Sequence, residues 1–246
     1  MIEVRALHKS FGPQKILDGV SLRIETGESV VIIGRSGGGK SVLLKHLVGL
    51  LKPDRGQVLV DDQDIVPMNE RQLLPVRRKF GMLFQGAALF DSMTVAENVG
   101  FVLWHNQKLA PGVVKARVAE ALEMVDLPGI EDKKPSELSG GMRKRVGLAR
   151  TIVYQPQIVL YDEPTTGLDP IASDSIDQLI LRVHERLKIT SVAVTHDMRS
   201  ARRVGQRIFM LHEKKVYVMG TPDEIFNSQD PVVRQFIDGV ADPKEH

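Results

Sequence analysis

Cysteine is absent from all 246 residues, which excludes disulfides and thiolate chemistry and suits a reducing compartment. No apolar run approaches the roughly 20 residues that span a bilayer. Met1-Ile2-Glu3-Val4-Arg5 also lacks the basic-then-apolar layout of a secretion signal. A soluble, cytosolic chain is therefore expected. Excess charge of either sign is missing too: 33 Lys+Arg face 31 Asp+Glu, which makes no case for a nucleic-acid partner. No Pro/Gly/Ser-rich tract divides the sequence, so one domain over 1–246 is expected.

Three short, β-branched apolar runs are present, each ending in polar residues. Ser29-Val30-Val31-Ile32-Ile33 leads into a glycine-rich loop, Ile158-Val159-Leu160-Tyr161 into Asp162-Glu163, and Ser191-Val192-Ala193-Val194-Thr195 into His196. Runs this short read as central strands of a parallel sheet, whose C-terminal ends are where open α/β sheets bind ligands. Ile2-Glu3-Val4, Val20-Ser21-Leu22-Arg23-Ile24 and Val58-Leu59-Val60 suggest a smaller antiparallel lobe. From about Thr94 to Tyr154 the period becomes helical, with Val114, Val118, Leu122 and Val125 on one face of a helix predicted to stop near Pro128-Gly129. The expected layout is an α/β core over about 1–85 and 155–220, a helical insertion over about 86–154, and a helical tail over about 221–246. In that tail Ile225, Phe226, Val232, Val233, Phe236 and Ile237 make an amphipathic segment interrupted at Pro231.

The loop Gly34-Arg35-Ser36-Gly37-Gly38-Gly39-Lys40-Ser41 matches GxxxxGK[ST] between a predicted strand and a helix predicted over Val42 to Leu50. The layout resembles the phosphate loop of a P-loop NTPase core. Glycines let successive N–H groups converge on phosphate oxygens, and the helix start adds partial positive charge. Lys40 is expected on the β- and γ-phosphates of ATP, with the Ser41 hydroxyl on Mg²⁺. Asp162-Glu163 after four apolar residues has the Walker-B layout: Asp162 for Mg²⁺, Glu163 to polarise the attacking water. His196 reads either as a strand-end structural histidine or as a γ-phosphate donor that steadies Glu163 and the water. Gln85 in Phe84-Gln85-Gly86 is either an ordinary loop amide or a ligand to Mg²⁺ or the lytic water on a moving hinge. Phe11 before Gly12 is either a platform for adenine or a buried aromatic of the antiparallel lobe.

With Gln85, Leu138-Ser139-Gly140-Gly141, Gly167-Leu168-Asp169 and His196 added in order, almost the whole chain resembles the ATP-binding-cassette ATPases. In that family two cassettes pack head to tail around two ATP molecules. The resemblance implies that Ser139 caps a helix running to about Tyr154, with Met142, Val146, Ala149, Ile152 and Val153 on its apolar side. Ser139, Gly140 and Gly141 would then grip the γ-phosphate held by Lys40 of a second copy, and one set of motifs per chain makes a two-fold homodimer the simplest assembly. No long coiled-coil insertion or second cassette favours a soluble factor of DNA repair or translation.

Two residues depart from the common pattern. Met142 stands where glutamine is usual. Val42 stands where threonine is usual, losing a hydroxyl worth about 0.5–1.5 kcal/mol at the α-phosphate. Together with the segments 34–46, 80–93 and 138–145 these are similar to the Mla type of cassette ATPase. That type serves transporters moving phospholipid between the two membranes of Gram-negative bacteria and uses an MCE-domain lipid-binding protein. The resemblance thus implies a peripheral position on the cytoplasmic face of the inner membrane, an integral membrane permease and a small accessory subunit. Amino acids and metal ions are the alternative cargoes. The permease groove is expected around Ala87 to Asn98, where apolar Ala87-Ala88-Leu89-Phe90 lies in a predicted loop; the same residues otherwise fill the insertion's own core.

Overall fold

The computed structural model describes residues 1–107 and 109–240. The chain forms two compact units, one made of Met1–Arg77 with the chain from Val192 onward, the other of Arg78–Ser191. In chain order the first unit opens with β1 (Ile2–Phe11), β2 (Gln14–Ile24), β3 (Ser29–Gly34), α1 (Lys40–Leu47), β4 (Arg55–Val60), β5 (Gln63–Asp64) and α2 (Glu70–Arg77). The second holds β6 (Phe80–Leu83), α3 (Val95–Val102), α4 (Pro111–Met124), α5 (Gly140–Ile152), β7 (Ile158–Asp162) and α6 (Pro170–Leu187). β8 (Thr190–Thr195) begins in the second unit and ends in the first, which also contains α7 (Met198–Val204), β9 (Arg207–His212), β10 (Lys215–Gly220), α8 (Pro222–Phe226) and α9 (Pro231–Asp238).

Two layers of strands build the first unit. β1 is flanked by β2 and β4, both antiparallel, with β5 beyond β4. Every residue of β3 is buried, and β3 pairs parallel with β9 from Val30↔Arg207 to Gly34↔Leu211. β10 closes this side antiparallel to β9. The expected strand at Ile2–Val4 runs on to Phe11 because a bulge absorbs the break in alternation: the register shifts between Val4 and Leu7, and Ala6 takes φ 43°.

In the second unit β6 and β7 pair parallel, Phe80↔Ile158 to Leu83↔Tyr161. α5 lies close on β6: a Cβ on Gly81 would meet Thr151 Cγ2 at 2.6 Å, and Thr151 Oγ1 donates to Met82 O at 3.3 Å. Thr94 caps α3 with a reciprocal box in which Glu97 N–H reaches Thr94 Oγ1 and Thr94 N–H reaches the Glu97 carboxylate.

Several boundaries differ from the sequence-based expectations. α1 starts at Lys40 and ends at Leu47, where Gly49 turns left-handed at φ 67° and Leu50 N–H reaches back to Lys45 O. α4 stops at Met124 because Asp126 is left-handed, and α5 stops at Ile152 ahead of left-handed Gln155. The tail is interrupted ahead of Pro231, as expected: α8 ends at Phe226, and Pro231 is the first residue of α9, capped by Asp230. Among the described residues of the tail, Ile225 and Val233 are the apolar ones that are fully buried. Val95 to Asn98, at the far end of the expected permease groove, form the first turn of α3, where the helical period was expected to begin. Among the described residues no helix is long and apolar enough to cross a membrane.

Candidate nucleotide site

In the first unit β3 delivers the chain to Gly34, where a side chain would strike Leu211 O at 2.6 Å, so only glycine fits. The chain then curls through left-handed Gly37 (φ 73°) and Gly39 (φ 92°), the latter capping α1, and Gly38 N–H closes a turn on Arg35 O at 3.0 Å. No acidic residue occupies the first turn of α1, whose N-terminus carries the positive end of the helix dipole. Lys40 is buried, and its ammonium donates to Gly34 O at 2.8 Å and Arg35 O at 3.1 Å. The lysine is thus stretched across the mouth of its own loop.

A cavity of about 330 Å³ opens beside this loop, lined by Gln14, Lys15, Ile16, Gly37, Gly38 and His212 among others. Phe11 ends β1 opposite Gln14 and is 48% exposed, with Lys9 Nζ 5.5 Å from its ring centre. It is therefore no buried aromatic of the lobe. Val42, partly exposed, gives its carbonyl to His46 Nδ1 at 2.7 Å. His196 is exposed at the end of β8, on a corner fixed by Asp197, whose N–H meets Thr195 Oγ1 at 2.9 Å and whose carboxylate caps α7.

In the second unit β7, buried throughout, ends in Asp162. Glu163 follows in the left-handed region at φ 50°, a conformation unusual for a residue with a Cβ. Thr166 Oγ1 donates to Glu163 Oε2 at 3.1 Å, and Thr166 N–H to Glu163 O at 3.3 Å. The turn ends at Asp169, which caps α6 by accepting from Ile171 N and Ala172 N, both at 2.9 Å. Gln85 is exposed in the loop after β6, and its carbonyl takes a short hydrogen bond from Lys144 Nζ. Ser139 caps α5 by accepting from Met142 N–H at 3.2 Å, and Arg143 braces the preceding turn through Leu138 O at 2.6 Å. Ser139 is exposed, Gly140 and Gly141 are partly so, and the first turn carries no acid. This is a second glycine-bounded helix start.

Sequence reasoning missed Thr166 and Lys144. The signal for Lys144 is its place in a buried helical stripe with Gly147, Leu148 and Thr151, where a lysine needs a reason.

Residues 17–166 match the family model described as ABC transporter. The chain belongs to the ABC transporter family. As a cassette of that family it binds and hydrolyses ATP. Among ABC relatives it is 44% identical over 238 residues to the probable ribonucleotide transport ATP-binding protein mkl of Mycobacterium leprae, covering 97% of this chain and 69% of that one. It spans 66% of the Mycobacterium tuberculosis counterpart. It is 39% identical to the intermembrane phospholipid transport system ATP-binding protein MlaF of Haemophilus influenzae, covering 98% of this chain and 92% of that one. Among solved structures, the dimeric bacterial ABC transporter cassette MJ0796 superposes with a TM-score of 0.83 at 33% identity, covering 90% of this chain and 99% of that one.

Proposed function

We propose that this ATPase energises a membrane transporter that moves phospholipid between two membranes. The observation that carries the reading is the similarity to MlaF, which extends over 98% of this chain and 92% of the relative. The chloroplastic Arabidopsis thaliana protein trigalactosyldiacylglycerol 3, 42% identical over 98% of this chain, bears a lipid name as well. The mycobacterial relatives' name favours ribonucleotide as the second reading of the cargo. Purifying the assembled membrane complex and analysing its organic extract tests both: co-purified phospholipid supports the first, and ribonucleotide without lipid overturns it.

In this reading the two units act as one ATPase domain, and two copies of the chain close around two ATP molecules, as the dimeric MJ0796 cassette suggests. Lys40 exchanges the Gly34 and Arg35 carbonyls for β- and γ-phosphate oxygens, the loop N–H groups hold the phosphates, and Phe11 stacks on adenine. Ser41 with its hydroxyl, Gln85 with its amide oxygen and Asp162 with its carboxylate each offer an oxygen donor of the kind Mg²⁺ takes, and these residues would hold the ion, which would supply neutralisation of phosphate charge. Glu163, steadied by Thr166, takes a proton from the attacking water as the bond between the γ-phosphorus and ADP breaks. His196 donates to the γ-phosphate, and Ser139, Gly140 and Gly141 of the partner subunit complete the grip.

The transporter partners in this reading are an integral permease, an MCE-domain lipid-binding protein and a small accessory subunit, with the ATPase on the cytoplasmic face of the inner membrane. Support for a permease surface comes from Phe90, 43% exposed, and Trp104, 36% exposed. Phe90 stacks at 5.0 Å on Phe101 and is pinned to α3 through Asn98, which accepts from Phe90 N–H at 2.8 Å and donates to its carbonyl at 3.1 Å.

A further inference from the structure

Lys144 sits one turn into α5 and is only 6% exposed. Its ammonium donates to Gln85 O and, at 3.4 Å, to Glu163 O. One cation therefore holds the backbone of the loop after β6 and the backbone of the residue that follows β7. Further along the same helix, Arg150 donates to Ala87 O and Ala88 O, each at 2.7 Å, where both alanines are left-handed. α5 thus grips three carbonyls of the Gln85–Ala88 segment. Burial pulls the Lys144 pKa down, and the neighbouring Glu163 and Asp162 charges oppose that pull. A buried cation tied to two strained segments is costly unless its bonds are needed, and truncating one partner of such an arrangement leaves the rest unsatisfied.

We propose that Lys144 is a positioning residue for ATP hydrolysis, fixing the Gln85 loop and Glu163 as one unit on the helix that Ser139 caps. The inference rests on the roles proposed above for Gln85 and Glu163 and adds the element that aligns them. Lys144 acts through their main chains, so its loss displaces the reacting groups and leaves the residues of the phosphate loop unchanged. Misplacement of this kind costs turnover and spares nucleotide affinity.

The experiment compares steady-state MgATP hydrolysis by the full chain with Lys144→Met, which keeps length and loses the donor, with Lys144→Arg, which keeps donors, and with Glu163→Gln. Lys144→Met is expected to lower kcat about tenfold or more with KM changed by less than about twofold, and Lys144→Arg to recover most of the loss. Wild-type kcat in Lys144→Met, a loss confined to KM, or equal impairment of both lysine variants overturns the proposal while Glu163→Gln stays inactive. Turnover by Glu163→Gln would instead overturn the reading of Glu163 beneath it. Because replacing a buried lysine can cost folding, amide exchange of residues 84–90 is followed in the same samples. Faster exchange there in Lys144→Met, with the α5 amides unchanged, is the expected result, and unaltered exchange at 84–90 overturns the proposal.

Discussion

Gly147 of α5 and Ala87 of the Gln85 loop meet with no room for another methyl group. A Cβ on Gly147 would lie 3.0 Å from Ala87 Cβ and 2.9 Å from Leu83 Cδ1. Alanine at this site gains about 1 kcal/mol of helix propensity that offsets the crowding, so valine is the cleaner probe. Gly147→Val is expected to destabilise the protein by about 1–3 kcal/mol through overpacking. A thermal melt no lower than that of the wild type would show that the helix and loop can part freely.

Glu163→Gln removes the proposed proton acceptor and leaves the proposed phosphate grips in place. ATP should still bind, hydrolysis should fall by two orders of magnitude or more, and an ATP-dependent dimer should accumulate, seen by size exclusion with light scattering, since general-base removal costs about 10²–10⁴-fold. Wild-type turnover in this variant would assign the base elsewhere.

Lys40→Ala should abolish measurable nucleotide binding, because the loop loses its only lysine while its glycines remain. Fluorescent ATP titration reads this directly. Unchanged affinity would exclude the phosphate-loop role.

Ser139→Arg places a bulky cation on the exposed start of α5. Hydrolysis is expected to vanish while ATP binding to the monomer stays within about twofold, because a local steric block at the start of α5 leaves the residues of the phosphate loop unchanged. Ser139→Ala is expected to cost about 1 kcal/mol of stability through loss of the cap to Met142 N–H. Normal hydrolysis by Ser139→Arg would mean that the second helix start does not meet phosphate.

His46, buried in α1 behind the phosphate loop, has its pKa pulled below the usual 6.5, first by burial. Its unfolded form therefore binds a proton more readily than its folded form. Stability that is complete above pH 6.5 should decline as pH falls below that value, and His46→Leu should flatten this part of the profile. Urea midpoints at pH 7.5 and 5.5 check it: identical slopes in both proteins would remove His46 from the account.

The three central strands were legible because each is a β-branched run closed by polar residues, and observed β3, β7 and β8 lie within about one residue of their expected bounds. β6 was not, because Phe80–Leu83 is four residues long and includes a glycine whose value is proximity to Thr151 rather than strand propensity. β9 was hidden likewise, its Ile-Phe-Met-Leu core too short for periodicity to separate strand from helix. The glycines of Gly34–Ser41 and the cap of Ser139 follow from local backbone rules and were readable in advance. Thr166 and Lys144 act across turns and between elements, through contacts that spacing along the chain does not encode.

The bonds from Lys40 to Gly34 and Arg35 carry a kinetic meaning. A free lysine side chain surrenders about 1.5–2 kcal/mol of rotational entropy on being fixed. Here folding has already fixed it, so in the role proposed for Lys40 an arriving triphosphate would trade partners with an ordered ammonium instead of recruiting a wandering one. Capture would then be a substitution on a finished surface rather than a search for a conformation.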